Sequence, residues 1–144
     1  MSDNKTRIEM HRLNDHMHFE ARSENGNSIQ MDASEKIGGS NKGVRPMETL
    51  LMAMAGCSGI DVVMILKKMN QPLDDFKVEL EGTLLKVDYA TQFSDIHIHF
   101  KFWGNLKESK VKKAIDLSIN KYCSVSKILE KSATITSSFE INHN

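Results

Sequence analysis

Two cysteines are the residues of this chain best suited to chemistry. Cys57 lies in "GCSGID" and Cys123 in "YCSVS". A thiolate is both a nucleophile and a metal ligand, and two thiols that meet can be oxidised to a disulfide. Neither cysteine has a second cysteine or a histidine at zinc-ligand spacing, and two distant cysteines do not make a disulfide-rich secreted scaffold. Two readings remain, a pair of buried thiols or a redox pair. Asp61 follows Cys57 by one helical turn and puts a carboxylate on the same face. His97 and His99 alternate on one strand with the spacing of a metal pair. No third ligand accompanies them, so an exposed strand face is the simpler reading.

The elements that must position these thiols can be read from pattern. A chain of 144 residues fits one domain with a real core. "TRIEMHRL" and "HMHFEARS" alternate roughly at period two, with a turn signal at Asn14–Asp15 between them, and "SIQMD" follows a second turn signal in "ENGN". They predict a three-stranded antiparallel meander. A flexible "GGSNKG" loop follows. Pro46 then suits the first turn of a long helix, and Pro72, just after Asn70, marks its stop. "FKVELEGTLLKVD" and "DIHIHFKFWG" predict a hairpin of longer strands. Lys107 to Tyr122 places Val111, Ala114, Ile115, Ser118, Ile119 and Tyr122 on one helical stripe, with lysines on the solvated side. A short helix near Val125 to Lys131 and a closing strand in "ATITSSFEI" complete a single α+β domain over residues 1–144.

Composition narrows the partners. Nineteen basic residues balance nineteen acidic ones, which gives no electrostatic reason to expect nucleic acid or an anionic membrane as partner. The polar start "MSDNKTRIEMHR" lacks the apolar core of a signal peptide, which predicts a cytoplasmic protein. The run Leu50–Leu66 is slightly short for a membrane span and carries Gly56, Gly59 and Asp61, so it reads as a helix buried in protein. That helix is apolar nearly all round. Leu50, Ala53, Met54, Cys57, Ile60 and Met64 share one face, while Leu51, Ala55, Val62 and Leu66 lie elsewhere. About ten such residues left half wet would forgo on the order of 10 kcal/mol, as much as a whole domain's stability. One sheet of about six strands covers one side only. A second subunit covers the rest, with Gly56 and Gly59 allowing close approach, so a homodimer is expected. The methionines in and near this helix, Met47, Met52, Met54 and Met64, suit an adaptable apolar core, and Trp103 reads as packing.

"RPMETLLMAMAGCSGIDVVMILKK" together with "YCSVSKIL" resembles the OsmC-like family, which includes the organic hydroperoxide resistance proteins. The likeness covers roughly Gly38 to Ile141 in element order and is sharpest over Pro46–Lys68 and Tyr122–Leu129. It implies an α+β fold of antiparallel sheets around a long buried central helix, intertwined with a second copy as a homodimer. It also implies thiol-based reduction of hydroperoxides without a metal, haem, flavin or other cofactor. Carried over, Cys57 would be the peroxidatic thiol and Cys123 the resolving thiol, with Ser126 completing a Cys-x-x-Ser context. A small hydroperoxide would be the substrate, and an external dithiol would reset the disulfide. Nucleic acid and membrane would play no part.

The likeness has local departures. Hydroperoxide-reducing members carry a glutamate directly after the motif proline and an arginine from the amino-terminal part. Here Met47 follows Pro46, and the glutamate is Glu48. Glu48 and Cys57 lie about 13 Å apart along one helix and on opposite faces, so Glu48 is expected either at the partner's cysteine or capping its own helix. Arg22 is the leading candidate for the arginine, with Arg12 and Arg45 behind it. Ser124 stands where a proline usually follows the second cysteine. With Asp61 beside Cys57, these departures predict sluggish peroxide turnover. The other reading is a non-peroxidatic dimer of the same fold that binds a small apolar or thiol-reactive ligand near Cys57.

Overall fold

The computed structural model of the chain describes residues 4–143. It divides into two compact units, one ending at Leu50 and the other beginning at Leu51. The first unit holds the meander: β1 (Ile8–Arg12), β2 (Phe19–Ser23) and β3 (Ser28–Met31) pair antiparallel in that order. After β3, a 3-10 turn at Glu35–Ile37 leads into the glycine-rich loop. Asp32 anchors that loop. Its carboxylate accepts the backbone N–H groups of Ala33 (2.7 Å), Lys42 (3.0 Å) and Ser40 (3.2 Å). Burial pushes this carboxyl up, but the N–H donors outweigh it and hold the group below its ordinary value.

The long helix α1 runs over Pro46–Lys68, with the start and stop that its prolines predicted. In the second unit it is followed by β4 (Leu73–Val87), β5 (Ala90–Gly104), α2 (Glu108–Leu117), α3 (Ser124–Leu129) and β6 (Thr134–Asn142). β4 and β5 form the expected long antiparallel hairpin. β6 returns alongside β5 in parallel, because α2 and α3 form a crossover long enough to bring the chain back to the same end. The expected cover of about six strands in one sheet is therefore corrected. Among the described residues the strands make two three-stranded sheets, β1-β2-β3 and β4-β5-β6.

Alternation on β5 explains the core. Phe93, Ile96, Ile98, Phe100 and Phe102 are buried, with partly exposed residues between them. Phe76 from β4 joins Phe100 and Phe102 at ring separations of 6.2 and 5.2 Å. α1 packs on this hairpin at Gly59 of the helix and Gly82 of β4. A Cβ at Gly59 would stand 3.4 Å from the Phe76 ring, and one at Gly82 would meet Leu51 at 3.3 Å. By length and composition alone α1 could cross a membrane.

Within the second unit α1 has two contrasting stripes. Met54, Ser58, Val62 and Leu66 are buried at i, i+4 spacing. Met52, Gly56, Ile60 and Met64 face outward, and Ile60 is 65% exposed. The face that was expected to act as a unit is thus divided, since Met54 is fully buried within its own chain and Ile60 is not.

The predicted helix Lys107–Tyr122 is also divided. α2 ends at Leu117 and one π-helical turn occupies Ser118–Tyr122. Val111, Ala114, Ile115 and Ser118 keep the buried stripe, whereas Tyr122 is exposed. A π turn adds a residue per turn, so a stripe set for 3.6 residues rotates out of register beyond it. Met54→Glu is expected to lower the unfolding free energy by more than about 3 kcal/mol, since it puts an unpaired carboxylate in an apolar site. Urea denaturation followed by far-ultraviolet circular dichroism measures this, and a midpoint equal to that of the wild type would contradict the packing described.

Candidate functional site

The π turn is what delivers the second thiol. The Cys123 N–H donates to the Ser118 carbonyl at 2.8 Å, closing the wide turn. Cys123 then leaves helical geometry, with φ −75° and ψ 105°, and becomes the N-cap of α3. Its sulfur accepts the Ser126 N–H at 3.4 Å. Cys123 is fully buried, while Cys57 on α1 is half-buried. The two sulfurs and a carboxylate oxygen of Asp61 all lie within 4.8 Å of one another. Residues far apart in sequence therefore converge as the thiol pair expected from "GCSGID" and "YCSVS".

A buried chain of hydroxyls ties the two helical segments together. The Ser118 hydroxyl lies 3.0 Å from Asp61 Oδ2 and 2.9 Å from the Ser58 hydroxyl. A carboxylate only accepts, so Ser118 donates to Asp61 and Ser58 donates to Ser118. Sequence reasoning named neither serine as a site residue. One signal was available: Ser118 interrupts an otherwise apolar stripe, and a buried hydroxyl needs a partner.

Burial pushes the Cys123 thiol above its ordinary value. The Ser126 hydroxyl and N–H pull the other way, and neighbouring Cys57 adds to the rise. The Ser126 hydroxyl is itself buried, with no hydrogen-bond partner of good geometry, yet it stands close enough to the sulfur to favour its anion. The environment of Cys123 therefore favours the protonated thiol and holds it beside Cys57.

The other predicted site residues are engaged locally. Glu48 accepts the Arg45 N–H at 2.7 Å. With Pro46 as the first helical residue, this is the returning half of a capping box, the glutamate satisfying the N–H just ahead of the helix. Of its two expected places, Glu48 therefore occupies the cap. Arg22 pairs with Glu20 at 2.6 Å and donates to the Gly26 carbonyl. Arg12 donates to the carbonyls of Asp15 and His16. Arg45 donates to Asn41 Oδ1 and to the carbonyls of Gly43 and Asp32. His97 and His99 are half-buried rather than exposed. Their rings are taken up by Thr136, Ser138 and Glu140 of β6, which gives the parallel strand pair a polar ladder.

Next to the thiols lies a cleft of about 520 Å³, lined by Asp61, Met64, Ile65, Lys68, Met69, Leu117 and Tyr122. Asp61 belongs to both the cleft and the thiol cluster.

Comparison with known proteins gives the family and the fold. A sequence model described as OsmC-like protein matches residues 39–138. The chain belongs to the OsmC-like family. It is 41% identical over 124 residues to Protein YhfA of Escherichia coli K12, covering 85% of this chain and 89% of YhfA. A hypothetical protein from Aquifex aeolicus VF5 has the same fold, with a TM-score of 0.84, 29% identity and 99% of each chain covered. An organic hydroperoxide resistance protein OsmC from Legionella pneumophila, also described as a predicted redox protein and regulator of sulfide bond formation, shares the fold at TM-score 0.73 and 12% identity. That match covers 97% of this chain and 99% of the Legionella one. The OsmC-like fold expected from the two cysteine motifs is thus the fold of this chain.

Ser118→Ala removes the donor to Asp61 and strands the Ser58 hydroxyl. It should cost about 1–3 kcal/mol, read as a lower urea midpoint with an unchanged slope. A variant as stable as the wild type would mean that the hydroxyl chain does not hold α1 to the π turn.

Proposed function

We propose that this OsmC-like chain reduces organic hydroperoxides through Cys57 and Cys123. The observation that carries the reading is the convergence of the two sulfurs within 4.8 Å, one half-exposed and the other buried. Exposure assigns the order of events. The Cys57 thiolate attacks the peroxide O–O bond, the alkoxide leaves as an alcohol after taking a proton, and Cys57 becomes a sulfenic acid. The Cys123 sulfur then attacks the Cys57 sulfur, expelling water and leaving a disulfide. An external dithiol restores both thiols by exchange. Closing the sulfurs to a bond of about 2.05 Å needs side-chain rotation with modest adjustment of the backbone. The apolar wall of the cleft beside Asp61, with Met64, Ile65, Met69 and Leu117, suits an organic peroxide more than hydrogen peroxide. The Legionella protein of the same fold carries hydroperoxide resistance in its description, and that supports the reading. The Asp61 carboxyl group lies within 4.8 Å of both sulfurs, and a carboxylate beside a thiol opposes thiolate formation, so slow turnover is expected.

The pH dependence follows from Cys123. Its thiol is raised, so the thiolate that resolves the sulfenic acid is scarce at neutral pH and grows as pH climbs through and above the ordinary thiol range. After one equivalent of an organic hydroperoxide, intact mass should fall by two hydrogens, with a Cys57–Cys123 link in the peptide map. Sulfenic acid trapped on Cys57 should decrease as pH rises, because resolution then outruns trapping. Two free thiols surviving excess peroxide would contradict the proposal. They would favour the second reading, in which the same cleft binds a small apolar ligand without peroxide chemistry.

We also propose that the working form is a homodimer. The outward stripe of Met52, Gly56, Ile60 and Met64 on α1 is apolar, and Gly56 has open space around it. Leu84 and Leu85 near the hairpin tip are also exposed. Such surface favours burial against a second copy. Ile60→Glu should shift sedimentation toward a folded monomer at micromolar concentration, and a dimer of undiminished stability would place the interface elsewhere.

A further inference from the structure

We propose that Cys57, Asp61 and Cys123 form a binding site for a thiophilic divalent cation, which masks the thiol pair when bound. The inference uses the residues of the proposed reaction but does not depend on peroxide being the substrate. Its donors are two sulfurs and a carboxylate oxygen, each within 4.8 Å of the others. Bond lengths of about 2.3 Å to sulfur and 2.0–2.2 Å to oxygen at tetrahedral angles require donor separations of roughly 3.6–3.8 Å. The observed cluster lies within reach of that geometry by side-chain rotation of about an ångström.

Three features mark the cluster as built rather than accidental. Cys57 and Asp61 stand one turn apart on α1, so a single helix face presents both donors without backbone strain. The Asp61 carboxylate is fixed by the Ser118 hydroxyl, which is fixed in turn by Ser58. A ligand oriented by an outer hydrogen bond is what metal sites use to hold geometry. The Cys123 sulfur receives the Ser126 N–H, and beside it stands the buried Ser126 hydroxyl with no partner of good geometry. A charged sulfur at that point would give this hydroxyl an acceptor. The cleft at Asp61 leaves the fourth position for water or a ligand.

The donor set selects the ion. Two thiolates favour zinc or cadmium over magnesium or calcium, which take all-oxygen sites. Binding balances as one divalent cation entering and two thiol protons leaving, with no change of oxidation state. Each bound sulfur shares an electron pair with the cation and loses nucleophilicity, and the two sulfurs cannot join while both are ligated, so metal and oxidant compete for the same thiol pair.

The test uses full-length reduced protein and Cd²⁺ as the probe. Titration should give one thiolate-to-metal charge-transfer band in the ultraviolet, saturating at one ion per chain. Zn²⁺ should remove it by competition. Cys57→Ser and Cys123→Ser should each abolish the saturable band, and Asp61→Asn should weaken binding at least tenfold. The disulfide form should bind none. Absence of the band in reduced wild-type protein overturns the proposal, and so does a band unchanged by Cys123→Ser. Circular dichroism of each variant keeps loss of fold separate from loss of ligand. Peroxide-driven disulfide formation in metal-free protein is scored independently, so a failure there leaves the metal result standing.

Discussion

The hydrogen bond from the Cys123 N–H to the Ser118 carbonyl is the constraint on which the site depends. It closes a turn one residue wider than an α-helical turn. That residue ends the continuity of α2, turns Tyr122 out to solvent and brings Cys123 inside. It also places the Ser118 hydroxyl where it can bind Asp61 and Ser58 on α1. An α-helical continuation through Cys123 would carry the second thiol about 100° further round and lose the N-cap of α3. π turns are uncommon and occur disproportionately at functional sites. Here the turn aims one side chain.

The site so formed is electrostatically tense. Two thiols that must ionise to react sit beside a carboxylate, and one of them is fully buried. Burial favours the neutral form of Cys123, while the hydroxyl and N–H of Ser126 favour its anion, and burial wins. Three routes relieve the tension: protons stay on the sulfurs, the sulfurs join as a disulfide, or a cation enters among the donors. Each leaves less negative charge in the cluster than two thiolates beside a carboxylate. The hydroxyl chain through Ser118 and Ser58 adds no charge, so it holds Asp61 in place without neutralising it.

Local signals made much of this legible in the sequence. Pro46 and Pro72 bound α1, and period-two alternation marks β1, β2 and the long hairpin of β4 and β5. Glu48 falls in the first turn after Pro46, and capping the start of its own helix, one of its two expected places, is seen in its bond from the Arg45 N–H. What stayed hidden depends on contacts distant in sequence. Period two cannot tell whether a strand returns parallel or antiparallel, so the pairing of β6 with β5 and the division into two sheets were not visible. A 3.6-residue stripe read from Val111 to Tyr122 cannot show where the helix widens, so it includes Tyr122, which the structure turns out to solvent. His97 and His99 looked exposed because their covering residues, Thr136, Ser138 and Glu140, lie far along the chain.

The central claim is that Cys57 and Cys123 act as one unit. Equilibration in glutathione redox buffers of graded potential, followed by acid quench and mass analysis, tests it directly. The account predicts that both thiols disappear together as a two-electron couple, passing to an internal disulfide with little mixed disulfide at any potential. A stable glutathione adduct on Cys57, with Cys123 still free across the transition, would contradict it.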